Sequence, residues 1–352
     1  MRLLLRPWKS LLILGTAIVF FAQDSSGRAD DPTAIGKLAA TIKPGEWAEL
    51  KSTGYDQATL MRGDDILAYS GKAAWDSVSQ QVMFIGQVHL KGPPVFIAYS
   101  VTDNAWRRMP TPKWAEPLKW FHAYENNAAD SARGVFYHHS SASGLVHQYV
   151  VAQEKWSTLP ELKAPTGHGT ALEYFPEMKG LVRVLNGEVW FWSETKDAWS
   201  RLATKLEMGP YHHFASYSPH FKVVIFGGGN DSGAIHVLNA DGKIATGMKS
   251  PVDLGIGRSL NVVDPASGEL LVLTKEQKLL AYHPGKDAWR SLPTAGLPFS
   301  KYAGHSLSAV PLSNHGVVLF FSSKPQGMKV FIYKHAGRLL TIRLVLEAVM
   351  RS

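Results

Sequence analysis

The sequence predicts an all-β fold in which six four-stranded units close into a ring, and three observations lead to this prediction. First, the repeated tryptophans, counted from Trp47, follow one another at intervals of 59, 50, 43 and 90 residues, the last being two units of 45. Second, each unit divides into short apolar stretches separated by glycine, proline, asparagine or aspartate. Third, an aromatic residue precedes the tryptophan by seven positions at Tyr99 and Trp106, Tyr149 and Trp156, Trp192 and Trp199, and Tyr282 and Trp289. A period of this length with four strands per unit is typical of a β-propeller.

The aromatic pair has a structural explanation. A short hairpin places the end of the third strand beside the start of the fourth, so the aromatic residue and the tryptophan become cross-strand neighbours. Large rings at these positions fill the space between wedge-shaped blades. We therefore expect the repeat to serve packing rather than ligand binding.

The blades are predicted in chain order from alternation and turn residues. The predicted inner strands are residues 67–75, 122–124, 170–174, 214–217, 259–263 and 306–310. The second strands are residues 82–85, 134–137, 181–185, 223–226, 270–273 and 317–321. The third strands are residues 95–99, 146–150, 189–192, 235–238, 279–282 and 330–333. The outer strand of the fourth blade, residues 243–248, lacks the tryptophan, and the sixth blade ends at Tyr333 without one.

Two segments compete for the missing outer strand of the sixth blade. Trp47 lacks the aromatic residue seven positions before it. Three positions after it lies Leu50, and the other repeats have leucine or methionine at that position. The tail at residues 339–346 also alternates and places Leu340 seven positions after Tyr333, but Arg343 occupies the third position after it. The comparison favours an N-terminal strand around Trp47 as the segment that closes the ring.

The N-terminus has the pattern of a secretory signal peptide. Arg2, Arg6 and Lys9 precede an apolar run at residues 11–22, and Gly27 and Ala29 form a small-x-small site. We expect cleavage after Ala29 and a periplasmic or secreted protein. The alternative is an uncleaved membrane anchor, but a run of 12 residues is shorter than the roughly 20 needed to span a bilayer.

The predicted organisation is a signal peptide at 1–29, an irregular lead-in at 30–43, the propeller at 44–335 and a C-terminal tail of unassigned structure at 336–352. Residues 1–29 carry four basic residues and one acidic residue, so their removal changes the formal net charge from +8 to +5. The pair Arg107-Arg108 is the most basic stretch, which gives little support for nucleic-acid binding. The chain contains no cysteine, so it has no disulfide. We expect a monomer without a membrane span after cleavage.

The repeat spacing and the Trp-x-x-Leu-Pro endings, as in Trp156 to Pro160 and Trp289 to Pro293, resemble kelch repeats of the kelch and galactose-oxidase-like propellers. The resemblance covers residues 45–335, but the double glycine of the second kelch strand occurs only as Gly227-Gly228-Gly229. It implies a ligand site near the axis, and propellers of this kind host carbohydrate chemistry. The tyrosine–cysteine copper cofactor of galactose-oxidase-like enzymes cannot form here, because there is no cysteine. We expect no cofactor.

Candidate ligand-binding residues lie in the loops that lead into the inner strands. Counting back five residues from the inner-strand ends selects Ser70, Lys119, Gly169, His212, Arg258 and His305, with His168 and His213 beside them. Trp114 and Trp120 lie in the loop that leads into the second blade. The candidates are thus Lys119, His168, His212, His213, Arg258, His305, Trp114 and Trp120. Cations and imidazoles near the axis favour an anionic ligand, and adjacent rings suit a sugar with charged substituents. The alternative is that these groups only hold water or pack.

No catalytic residue can be named, because no spacing matches a catalytic triad or a carboxylate pair. Adjacent histidines in extended chain point to opposite sides, so His138-His139 and His212-His213 are not bidentate metal sites, and we expect no metal. The sequence predicts an exported binding module for an anionic glycan or a protein partner on the axial face. The alternatives are a carbohydrate-active enzyme, such as a lyase, epimerase or hydrolase, and a protein-interaction scaffold.

Overall fold

The computed structural model describes residues 31–55, 66–86, 94–118, 122–163, 167, 169–299, 306–323 and 329–337. These ranges contain strands β1 to β24, which form six antiparallel sheets of four strands each. The inner strands of successive sheets contact one another in cyclic order, and the sixth contacts the first. The fold is a six-bladed β-propeller, as predicted.

The strands of each blade are given from the axis outwards. Blade 1 contains β2 (Ala74–Asp76), β3 (Gln81–Gly86), β4 (Val95–Ser100) and β5 (Ala105–Arg108). Blade 2 contains β6 (Asn127–Asp130), β7 (Val135–His139), β8 (Val146–Val150) and β9 (Lys155–Thr158). Blade 3 contains β10 (Ala171–Phe175), β11 (Gly180–Leu185), β12 (Glu188–Ser193) and β13 (Ala198–Ala203).

The remaining blades follow the same plan. Blade 4 contains β14 (His213–Ser218), β15 (Val223–Gly228), β16 (Ile235–Asn239) and β17 (Ile244–Thr246). Blade 5 contains β18 (Ser259–Val263), β19 (Leu270–Thr274), β20 (Leu279–His283) and β21 (Ala288–Leu292). Blade 6 contains β22 (Leu307–Leu312), β23 (Val317–Ser322), β24 (Lys329–Tyr333) and β1 (Trp47–Glu49).

The N-terminal strand closes the ring. Trp47 is paired with Tyr333 in the antiparallel register of β1 and β24, and the two rings stack at a centroid distance of 4.5 Å. Leu50 N–H donates to Val330 O at 2.8 Å and extends the pairing by one bond. The sequence prediction that Trp47 completes the sixth blade is confirmed, while the competing tail at 339–346 lies outside the described residues.

The repeated aromatic pairs lie between blades, as predicted. Tyr149 and Trp156 are cross-strand partners with ring centroids 5.0 Å apart. Both rings also contact Phe96 of blade 1, whose ring centroid lies 5.5 Å from that of Tyr149 and 5.6 Å from that of Trp156. The repeat therefore fills the wedge between neighbouring sheets and contributes to the core.

The lead-in at 30–43 contains a helix, α1 (Ala34–Thr41), where the sequence prediction expected irregular chain. Thr33 caps it by accepting a hydrogen bond from Gly36 N–H at 3.0 Å. Ile35 and Ala39 are buried in the same apolar cluster as Val310 of β22. The capping threonine and the buried face explain the helix, which packs beside the closing strand.

The predicted inner strand of blade 2, residues 122–124, was wrong. The strand is β6 (Asn127–Asp130), and Tyr124 has a φ of 40°, in the left-handed region, so the chain turns there. The first inner strand is also shorter than predicted, because β2 covers only Ala74–Asp76 and Tyr69 has a φ of 55°. Both differences arise where the backbone leaves the extended conformation next to the axis.

Backbone hydrogen bonds join the starts of neighbouring inner strands. Leu172 N–H donates to Glu125 O at 2.9 Å, and His213 N–H donates to Gly169 O at 3.0 Å. Gly71 N–H donates to Tyr124 O at 3.3 Å. These bonds connect the loops that precede the inner strands and hold them around the axis. Among the described residues, no helix has the length and hydrophobicity needed to cross a membrane.

Candidate functional site

The loops that lead into the inner strands lie on one face of the ring, which we call the upper face. Five aromatic or imidazole side chains from blades 1, 2 and 4 meet there: Tyr69, His122, Tyr124, Tyr211 and His212. We call them the upper cluster. Ring centroids lie 4.8 Å apart for Tyr69 and His122, 5.8 Å for Tyr124 and Tyr211, and 4.4 Å for Tyr211 and His212. Tyr124 is buried, and the other four are half-buried, so their rings are accessible from the upper face.

Hydrogen bonds connect the polar atoms of the upper cluster. Tyr124 OH is hydrogen-bonded to His122 Nδ1 and, at 2.8 Å, to Tyr211 OH. His212 Nδ1 lies 2.8 Å from Asn230 Oδ1, which requires a proton on Nδ1. The network fixes the orientation of three rings and leads from blade 2 to blade 4.

Four residues of the upper cluster have backbones in the left-handed region. The φ angles are 55° at Tyr69, 40° at Tyr124, 66° at Tyr211 and 59° at His212. Each bulky residue in this region costs on the order of 1 kcal/mol, and such strain concentrates at functional sites. Four strained aromatic or imidazole residues meeting at one place therefore mark a candidate binding site.

Two members of the upper cluster, Tyr124 and His212, are uncharged at neutral pH. Burial raises the pKa of Tyr124 and lowers the pKa of His212, so the phenol stays protonated and the imidazole stays neutral. The cluster consequently offers aromatic faces together with hydroxyl and imidazole groups. This combination suits a ligand with hydroxyl groups and apolar ring faces.

Of the predicted site residues, His212 lies in the upper cluster and His213 lies behind it. His213 is buried, its Nε2 accepts a hydrogen bond from Asn186 N–H at 2.8 Å, and burial lowers its pKa to about 4. Arg258 is at the same face but forms an ion pair with Asp231 at 2.7 Å. The described members of the predicted cationic ring therefore provide no unpaired positive charge.

The other predicted residues lie elsewhere or outside the described part. Trp114 is removed from the upper cluster and stacks on His147 between blades 1 and 2, with ring centroids 4.0 Å apart. Lys119, Trp120, His168 and His305 lie outside the described residues, so their part in binding stays a prediction.

The sequence prediction missed Tyr69, His122, Tyr124 and Tyr211. The same counting rule selects Tyr124 when it starts from Ala129, the last apolar residue of β6. The prediction started instead from the end of the misplaced strand at residue 124 and therefore selected Lys119. Tyr124 also forms a parallel bridge with Ser70, the equivalent position of blade 1.

A charged layer lies on the axis below the upper cluster. The Lys72 ammonium donates to Glu173 Oε2 at 2.7 Å, to Leu172 O at 2.7 Å and to Ala215 O at 3.0 Å. Glu125 is fully buried nearby, and neither carboxyl oxygen has a hydrogen-bond partner among the described residues. Burial raises the pKa of Glu125 to about 8, with Lys72 opposing and Glu173 adding to the shift. Glu125 is therefore largely protonated at neutral pH.

The opposite, lower face contains an axial cavity that the sequence prediction did not include. Its volume is about 320 Å³, and its inner end is formed by the Lys72–Glu173 pair. The walls carry aromatic and proline side chains: Trp75, Tyr174, Tyr217, Pro176, Pro219, Pro265 and Pro311. Because the Lys72 ammonium donates all three of its hydrogens, the described residues that line the cavity provide no available cation.

No group of three or more side chains suited to hold a metal ion occurs within the described ranges.

No protein-family model matches the sequence, and no curated protein sequence matches it. Among solved structures, a chain of the nidogen/laminin complex has 9% identity and a TM-score of 0.48, covering 64% of this chain and 80% of that chain. A structure of YCF48 bound to D1 peptide has 10% identity and a TM-score of 0.45, covering 85% of this chain and 84% of that chain. The kelch subtype stays a prediction from the repeat spacing.

Proposed function

We propose that this chain is a binding module that takes a glycan at the upper cluster. The observation that carries the proposal is the convergence of Tyr69, Tyr124, Tyr211 and His212, all in the left-handed region, on one accessible place at the axis. Aromatic faces stack on the apolar faces of sugar rings, and fixed hydroxyl and imidazole groups exchange hydrogen bonds with sugar hydroxyls. Since Tyr124 and His212 carry no charge at neutral pH, we expect the sugar that contacts them to be neutral.

We infer the location of the ligand from the N-terminal pattern. Residues 1–29 have the composition of a cleaved secretory leader, which favours a ligand outside the cytoplasm. A protein partner on the same face is the alternative ligand, and its binding would use the same half-buried rings.

Titration of the chain that begins at Asp30 with neutral hexasaccharides of glucan, mannan and chitin type tests the proposal. We expect at least one to bind, and Tyr211→Ala to weaken that binding about tenfold or more, because a stacking face is lost. Tyr217→Ala is the matched control, since Tyr217 is also a half-buried tyrosine but lines the lower cavity. We expect Tyr217→Ala to bind as the unchanged protein does.

Three results would contradict the proposal. One is the absence of binding to any glycan, and another is equal affinity of Tyr211→Ala and the unchanged protein. The third is turnover of a bound glycan that Tyr124→Phe abolishes, which would instead support the enzyme, with the His122–Tyr124–Tyr211 network as the proton-transfer groups.

A further inference from the structure

A groove runs along the outside of the propeller between the outer strands of blades 1 and 2, β5 and β9. We call it the outer groove. Its volume is about 790 Å³, and its lining includes Arg107, Arg108, Lys113, Lys155, Trp114 and Trp156. It lies on the flank of the ring and is separate in sequence and position from the upper cluster.

The floor of the outer groove consists of aromatic rings that pack on one another. Trp114 stacks on His147 with ring planes 5° apart and contacts Trp156 edge-on at 5.5 Å. Trp156 in turn contacts Phe96 at 5.6 Å. Burial lowers the pKa of His147 to about 4, so the stacked imidazole adds no charge at neutral pH. The floor therefore provides a packed aromatic face on which a ring can lie.

The walls of the outer groove carry an excess of positive charge. The lining holds four basic side chains and one acidic side chain, Glu154, a net charge of +3. All four basic residues are exposed, and no carboxylate of the described residues forms an ion pair with any of them. Elsewhere on the surface arginines are paired, as in Arg133 with Glu194 and Arg258 with Asp231. The groove thus concentrates cations that have no acidic partner in the described part of the chain.

We propose that the outer groove is a second binding site and that it takes an acidic glycan, a sugar chain with carboxylate or sulfate groups. Arginine guanidinium groups bind such oxyanions with two parallel hydrogen bonds, and the aromatic floor provides a face for the sugar rings. An extended acidic peptide fits less well, because it would have to pair with the outer edge of β5. That edge is partly covered, since Trp106 N–H of β5 already donates to Thr53 O at 2.8 Å. The proposal does not depend on the upper cluster, since the two sites share no residue.

Calorimetric titration with a heparin hexasaccharide and with a polygalacturonate hexasaccharide tests the outer groove. The test variant neutralises Arg107, Arg108, Lys113 and Lys155 to glutamine, and the control variant neutralises the exposed Lys196, Lys205, Lys243 and Lys249. We expect the unchanged protein to bind at least one of the two anions, and binding to weaken when NaCl rises from 50 to 200 mM. The groove variant should lose tenfold or more in affinity, and the control less than threefold. Preference for heparin or polygalacturonate distinguishes sulfate from carboxylate.

The two variants change formal charge by the same amount, and a thermal melt of each shows whether it is folded. Equal loss of affinity in both variants would overturn the proposal, because it would indicate attraction to net charge alone. Absence of binding to both anions would also overturn it, as would a DNA duplex that competes as well as the glycan. Failure of neutral sugars to bind contradicts the upper cluster only, so the two proposals fail separately.

Discussion

A chain that begins at Lys51 is expected to lose its cooperative unfolding transition, whereas a chain that begins at Asp30 unfolds cooperatively. The shorter chain lacks β1, so β24 becomes an exposed strand edge and blade 6 has three strands. The shorter chain also loses the ring of Trp47. In the full structure its centroid lies 4.5 Å from the ring centroid of Tyr333, 4.9 Å from that of Phe320 and 5.7 Å from that of Phe299. Removal of a tryptophan of this kind alone costs about 3 kcal/mol or more, a large part of the total stability of an ordinary domain, about 5–15 kcal/mol.

Thermal unfolding followed by near-ultraviolet circular dichroism provides the measurement. A synthetic peptide of residues 31–50 added to the shorter chain is the control, and we expect it to restore the transition because it supplies α1 and β1. A shorter chain that melts at the same temperature as the longer one would contradict the N-terminal closure of the ring.

Glu125→Gln is expected to stabilise the protein at pH 8 and to have little effect near pH 4.5. The pKa of Glu125 is raised by burial from its ordinary value of 4.5 to about 8, so the native state holds a proton that the unfolded state releases. Ionisation of Glu125 therefore lowers the free energy of unfolding as pH rises from 4.5 to 8, by up to about 1.4 kcal/mol per pH unit. Glutamine stays neutral and removes that dependence.

Urea unfolding of both proteins between pH 4.5 and 8 tests this expectation, and the difference between them isolates Glu125 from other titrating groups. Glu173→Gln is the matched control, because it makes the same chemical change beside the same lysine. It leaves the Lys72 ammonium without its carboxylate, so we expect it to destabilise the protein by about 3 kcal/mol or more at neutral pH. Identical pH profiles for the unchanged protein and Glu125→Gln would refute the assignment of a buried, protonated carboxyl.

The architecture was predictable because each blade repeats a local pattern. Alternation gives the strands, and the seven-residue spacing from aromatic residue to tryptophan gives the outer hairpin, so the missing tryptophan after Tyr333 pointed to Trp47. The inner strand of blade 2 was misplaced because Tyr124 adopts a left-handed conformation that no alternation pattern reveals. One displaced strand moved the selected residue from Tyr124 to Lys119.

The sites were less predictable because their chemistry depends on residues far apart in sequence. The Lys72 ammonium meets Glu173 and Ala215 only when blades 1, 3 and 4 surround the axis. The pair Arg107-Arg108 was visible in the sequence, but its position opposite Lys155 requires the packing of two blades. Burial also decides charge, so His212 and His213, which suggested part of a cationic ring, are neutral in the fold.

Hydroxyl-radical footprinting with mass spectrometry tests glycan binding at the upper cluster, because it reports the exposure of individual aromatic and histidine side chains. The chain that begins at Asp30 is oxidised with and without the neutral hexasaccharide that binds it most tightly. We expect protection of Tyr69, Tyr211 and His212 and unchanged oxidation of Tyr217 and Trp156. Protection of Tyr217 or Trp156, with the upper cluster unchanged, would contradict this expectation.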